Sequence, residues 1–101
     1  MIRSNDIGLG GPFNIAEYAL LLHMVAQIVH MIPNELIYTI GDAHIYNNHF
    51  EQMKEIISRD SYSLPTIKLN ENIESIYDFR YEDIIIENYK SHPNIKMDVA
   101  V

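Results

Sequence analysis

The chain has 101 residues, with 14 Asp and Glu against 7 Lys and Arg, and no Cys. That length fits one domain, and 48% hydrophobic with 21% charged residues is a globular composition, not a disordered one. The missing Cys excludes a disulfide scaffold, a thiolate zinc site and a cysteine nucleophile carried by this chain, while a formal charge of -7 argues against a general DNA or RNA binder.

Gly8-Leu9-Gly10-Gly11-Pro12 is the one glycine cluster, and it leads into a helical pattern in which Pro12 suits an early position and Asn14 a cap. From Asn14 to Val29, 12 of 16 residues are apolar, so the apolar surface runs nearly all the way round. Such a helix is expected to be buried on every side. Pro33-Asn34 ends it. The longest apolar stretch, Ile15 to Ile32, is broken by Glu17, His23, Gln27 and His30, which excludes a membrane span. No apolar run of signal-peptide type follows Met1-Ile2-Arg3-Ser4-Asn5-Asp6, and with no disulfides this points to the cytoplasm.

Leu36-Ile37-Tyr38-Thr39-Ile40 reads as a strand, continuing through Gly41 into Asp42-Ala43-His44-Ile45-Tyr46. A second, amphipathic helix is predicted from about Asn48 to Arg59, with Phe50, Met53, Ile56 and Ile57 on one stripe. Ser61 to Pro65 is a turn region. Further strands are predicted at Thr66–Leu69, Ile84–Glu87 and Ile95–Val99, and a helical turn or strand at Ile76-Tyr77-Asp78-Phe79. One helix and a few strands are too little to cover an all-round apolar helix. Other sequence or a partner subunit is expected to supply the missing cover.

Two groups of residues bear on chemistry. In an extended segment the period of two places Asp42, His44 and Tyr46 on one face, a donor and acceptor set suited to a sugar hydroxyl or to a structural network. Arg3, with its planar charged fork, and the hydroxyl of Ser4 suit a phosphate, and Asp6 lies just before the glycines. The glycines do not complete a dinucleotide motif, because Phe13 stands at the third position, and no P-loop is present. Metal binding is not supported: His44 and His49 are five apart, and His23, His30 and His92 stand alone. Nothing in the sequence fixes a Ser4, His44 and Asp42 triad.

Arg3-Ser4-Asn5-Asp6, then Gly10-x-Pro12-Phe13-Asn14-Ile15-Ala16-x-Tyr18-Ala19-Leu20-Leu21, then Gly41-Asp42-Ala43-His44-Ile45-Tyr46-x-Asn48-His49 resemble thymidylate synthase. So do Ser58-Arg59, Leu64-Pro65 and His92-Pro93-x-Ile95-Lys96-Met97-x-Val99-Ala100-Val101. The resemblance is to the C-terminal portion of such an enzyme. It implies an α+β fold, with part of a large twisted mixed sheet packed on one long buried helix and an outer amphipathic helix. It also implies methylation of deoxyuridine monophosphate to thymidine monophosphate, with 5,10-methylenetetrahydrofolate as co-substrate and no metal. By the same resemblance Arg3 and Ser4 grip the nucleotide phosphate, Asn14 reads the uracil edge, and His44 and Tyr46 hold the ribose hydroxyl. Asp6 bonds the folate ring, and the Val99-Ala100-Val101 tail, with Ala100 at its centre, closes over the folate.

The departures from the family matter equally. The family nucleophile is a Cys upstream of Arg3, and this chain has no Cys. Gly11 stands at a position that is usually apolar and larger, and Val29-His30 stand where Thr-Gly usually closes the helix, so a left-handed cap is not expected. Family enzymes are homodimers, which implies a homodimer or a complementing N-terminal portion as partner, and neither DNA nor a membrane. The isolated chain is expected to lack catalysis, because no thiolate is present to attack C6 of the pyrimidine. The alternatives are a non-catalytic nucleotide-binding or subunit-interaction piece, and a broken-gene remnant.

Overall fold

A turn between Asp6 and Gly11 carries the chain from a strand straight into a helix, and the partner of that strand arrives only after the helix. The computed structural model describes residues 1–99. In it β1 (Ile2–Asp6) leads into α1 (Gly11–Ile28), and β2 (Ile40–His44) returns parallel to β1. Parallel pairing needs a crossover of this kind. A 3-10 turn at Asn47–His49 runs into α2 (Phe50–Ser58). β3 (Thr66–Leu69) and β4 (Ile84–Glu87) pair antiparallel, with 3-10 turns at Ile76–Asp78 and Tyr81–Asp83 between them. The structure is therefore mixed α and β. Its four strands form two separate pairs and not the expected large sheet.

Register sets where the second strand begins. Ile2 pairs with Ile40 and Asp6 with His44, so partners for Leu36, Ile37 and Tyr38 would have to precede Met1. Those residues form no ladder, although Ile2 N–H still donates to Thr39 O at 2.7 Å. The strand expected from Leu36 thus begins at Ile40. Gly41 permits the close approach of the two strands, because a Cβ there would stand 3.0 Å from the carbonyl oxygen of Arg3.

The ends of α1 also differ from expectation. Gly10 caps it, Pro12 lies in its first turn, and Asn14 sits inside the helix with its N–H bonded to Gly10 O at 3.0 Å. At the other end His30 adopts a φ of 59°, the left-handed region that favours glycine. His30 N–H donates to Gln27 O at 3.2 Å and Met31 N–H to Ala26 O at 2.8 Å, a complete Schellman closure. The cap absent from the sequence pattern is built on histidine.

This chain does not bury α1. Only Gly11 and Ala26 are buried along it, and Ala26 is the one buried hydrophobic residue among those described. Phe13 is 74% exposed, and Ile15, Tyr18, Leu21 and Val25 are also open to solvent. The accessible surface is 8356 Å², against about 5,900 Å² for a folded monomer of this mass. The radius of gyration is 16.1 Å, against about 13 Å for a compact domain of 100 residues. Gln27 docks the helix on one side, its Nε2 donating to Asn70 O at 2.9 Å and to Ile73 O at 3.1 Å. An apolar groove of about 740 Å³, lined by Ala16, Leu20, Ile67 and Ile86 among others, separates α1 from the β3–β4 pair. Among the described residues no helix is long and apolar enough to cross a membrane.

α2 has the expected place, with Arg59 paired to Glu55 at 2.9 Å and donating to Pro93 O at 2.9 Å. Met53 is half-buried, while Phe50, Ile56 and Ile57 of the same stripe are exposed. No strand forms at Ile95–Val99. Side chains of the Asn47–Ser58 region hold that segment instead: His49 Nε2 lies 2.6 Å from Asp98 O, and Asn48 Nδ2 donates to the same oxygen at 3.4 Å. The β3–β4 connection is closed by Asn70 and Asp83. Asn70 Nδ2 donates to one carboxylate oxygen of Asp83 and Arg80 N–H to the other, each at 2.9 Å.

Two measurements check these local accounts. His30→Gly is expected to stabilise the chain by roughly 0.5–1 kcal/mol, the left-handed strain being relieved against a smaller entropic loss, as a higher urea midpoint. The hydrogen bond from Asn70, then that from Arg80, holds the Asp83 carboxyl below the usual carboxylate range. A depressed folded-state pKa contributes stability above the ordinary Asp value and loses it as pH falls through the folded value. Asn70→Ala is therefore expected to raise the Asp83 pKa in a carboxyl NMR titration, and the hairpin opens at a less acid pH.

Candidate functional site

The expected ligand residues gather where β1 and β2 end and α1 begins. Crevices at the carboxyl ends of parallel strands are common ligand positions, because backbone groups and loop side chains converge there. Strand alternation, with Ser4 opposite Asp42 and Asp6 opposite His44, puts these four side chains on one face. Arg3 and Asn5 leave the other face of β1. Arg3 is exposed and has no ion-pair partner among the described residues, so its guanidinium is open to an anion.

Asp6 shapes the turn. Its Oδ1 accepts from Gly8 N–H at 3.2 Å and Leu9 N–H at 3.4 Å, a local bonding mode in which Asp and Asn stabilise turns. These bonds leave Oδ2 available to a further donor. Asn14 faces the same turn from α1, and its Oδ1 accepts from Asn5 Nδ2 at 3.0 Å. Gly11 fits under this contact, since a Cβ there would stand 3.0 Å from Asn5 Oδ1 and 3.3 Å from Asp6 O.

On β2, His44 Nδ1 lies 3.2 Å from the Asp42 carbonyl oxygen and 3.7 Å from the Asp42 carboxylate. A carbonyl oxygen only accepts, so Nδ1 is the donor in this contact, and in the tautomer that this contact selects Nε2 is an acceptor. Tyr46 stands edge-on to His44 with ring centroids 5.1 Å apart. An acceptor nitrogen beside a phenol hydroxyl suits a ligand hydroxyl, which both donates and accepts. Ser4 and Asp42 are strand partners, but among the described residues no hydrogen bond joins Ser4 to His44, so no triad is assembled. Nor do the described residues contain a cluster of three metal-type donors. Ala100 lies outside the described residues.

The structure thus groups Asp6 and Asn14 at the turn and Asp42, His44 and Tyr46 beside it, with Arg3 and Ser4 further back along β1. Sequence reasoning missed two supporting residues. Asn5 is 4% exposed and holds Asn14. His49 is fully buried and ties the C-terminal segment to the start of α2 through Asp98 O. A Cβ on Gly8 would lie 3.4 Å from its Nδ1, so the same imidazole also packs against the glycine turn. Neither role has a signal in spacing, because Asn5 meets Asn14 across a turn and His49 meets Asp98 from 49 residues away.

The family model described as thymidylate synthase matches residues 1–101, and the chain belongs to that family. Among curated relatives, the protein named thymidylate synthase from Malacoplasma penetrans (strain HF-2) is 54% identical over 99 residues. The match covers 98% of this chain and 34% of that protein, so the chain spans about a third of the relative's length.

His49→Ala is expected to speed amide exchange at residues 95–98 by more than at 52–57, with a stability loss of about 1–3 kcal/mol for the lost buried hydrogen bond. Unchanged exchange at residues 95–98 would remove the anchoring role.

Proposed function

We propose that this chain forms the nucleotide- and folate-facing wall of a thymidylate synthase site, binding deoxyuridine monophosphate, and that a separate stretch of polypeptide supplies the nucleophile. One observation carries the reading: at the ends of two parallel strands an oriented amide, Asn14, and a histidine acceptor, His44, flank one turn, while Arg3, with no ion-pair partner among the described residues, lies back along β1. In this reading Arg3 supplies the charge for the phosphate and Ser4, from the opposite face of β1, a further hydroxyl donor. Asn14 reads the pyrimidine edge by donating to O4 and accepting from N3–H. His44 accepts from the ribose hydroxyl while the Tyr46 hydroxyl donates to it.

Methylenetetrahydrofolate, as co-substrate, supplies the one-carbon unit and the hydride. Asp6 fits a contact to it, because the Oδ2 left free by the turn can accept from a ring N–H. The tail through Ala100 covers it. The chemical step needs a thiolate at C6 of the uracil, and this chain has no Cys.

The open face of α1 favours a second reading alongside the first, in which the chain acts by pairing, either with a complementing N-terminal portion or in a homodimer. Phe13 and the 8356 Å² of accessible surface are the support. Proteins bury such faces against other polypeptide. The cytoplasm is the compartment this reading assigns.

Tritium release from C5-labelled deoxyuridine monophosphate tests the proposal. The isolated chain is expected to give none, since loss of a nucleophile lowers rates by about ten-thousand-fold or more. Mixing with a Cys-bearing N-terminal portion is expected to restore release, and Asn14→Asp in that mixture to weaken the preference for uracil over cytosine nucleotide. Release by the isolated chain would overturn the assignment of the nucleophile elsewhere. No recovery, together with no nucleotide binding, would overturn the site.

A further inference from the structure

A carboxamide can be turned end for end with almost no change of shape, so packing alone does not decide which end of Asn14 faces a ligand. We propose that Asn5 is the positioning residue that decides it, and that Asn5 thereby sets selection for a pyrimidine carrying a carbonyl at C4. The inference rests on the reading of Asn14 as the residue that meets the pyrimidine.

Asn5 sits on β1 with its backbone in the parallel ladder opposite Ala43 and its side chain 4% exposed. Its Nδ2 donates to Asn14 Oδ1 at 3.0 Å. An NH2 group donates and does not accept, so it binds the oxygen end of the Asn14 amide and turns the NH2 end of Asn14 away. That outward donor matches an acceptor such as the C4 carbonyl of uracil. Against the C4 amino group of cytosine it would place donor against donor. The second lone pair of Asn14 Oδ1 stays free for N3–H.

Two further observations support a positioning role over plain packing. Asn5 Oδ1 is buried with no hydrogen-bond partner among the described residues, an arrangement that destabilises a fold. An apolar side chain of similar size would avoid that cost but would lack the donor that reaches Asn14. The space for Asn5 also depends on Gly11, where a Cβ would come within 3.0 Å of Asn5 Oδ1. Asn5, Gly11 and Asn14 thus act as a unit, in which the missing side chain of Gly11 admits the amide that orients Asn14.

The test uses the 15N-labelled 101-residue chain, with deoxyuridine and deoxycytidine monophosphate as probes. In the unsubstituted chain one Asn5 Nδ2 proton is expected to exchange slowly while the Asn14 pair exchanges fast. Asn5→Ala is expected to shift the Asn14 side-chain signals and to lower the ratio of deoxyuridylate to deoxycytidylate affinity by about tenfold, the effect of one lost hydrogen bond. Asn5→Asp supplies a side chain that only accepts when ionised, so Asn14 is expected to turn and the ratio to move toward deoxycytidylate. A structural role alone would lower both affinities together and leave the ratio unchanged, which overturns the proposal. If the unsubstituted chain binds neither nucleotide, the functional reading fails separately. The Asn14 signals then decide: displacement in Asn5→Ala supports the orienting role, and no displacement overturns it. Should both variants fail to fold, the unsubstituted chain decides, because equal fast exchange of the Asn5 and Asn14 side-chain amides also overturns it.

Discussion

Helix α1 carries apolar side chains on nearly every side, and the chain supplies too few elements to cover them. A hydrophobic surface that is not removed from water contributes nothing to folding, so the fold depends on how much of this helix finds a partner. Within the chain, the Asn70 and Ile73 carbonyls held by Gln27 and the β3–β4 pair approach one side and leave a groove of about 740 Å³ between. The other sides stay open. The radius of gyration of 16.1 Å follows from the same shortage, because no single core draws the elements together.

The candidate site is better defined than the core beneath it. Local bonds fix it: the Asp6 carboxylate on the turn, the Asn5 amide on Asn14, the Asp42 carbonyl on His44, and the parallel register that sets β1 beside β2. These contacts are short in sequence or lie within one βαβ unit, and they need little from the rest of a domain. Ligand geometry can therefore persist in a chain whose hydrophobic surface is incompletely buried. An overall charge of -7, with an Arg3 that has no ion-pair partner among the described residues, suits a single anionic group better than a polyanion.

Much of this was legible in the sequence. The dense apolar run located α1, the β-branched stretches located β3 and β4, and the period of two put Asp42 and His44 on one face of β2, which ends before Tyr46. Other features depend on partners that periodicity does not reveal. Leu36–Tyr38 has strand composition, yet the register of β1 and β2 leaves it opposite no residue of this chain. Ile95–Val99 also has strand composition, but side chains from His49 and Asn48 hold its backbone in place of a neighbouring strand. The cap at His30 was invisible because left-handed geometry on a non-glycine residue is imposed by the surrounding hydrogen bonds. Asn5 and His49 looked unremarkable for the same reason, since their roles come from contacts across turns and long loops.

If α1 requires cover from other polypeptide, differential scanning calorimetry combined with sedimentation equilibrium on the purified 101-residue chain will show it. Self-association is expected, or a broad transition of low enthalpy in a monomer. A monodisperse monomer that melts cooperatively, with the enthalpy of about 60–80 kcal/mol typical of 100 residues, would contradict it.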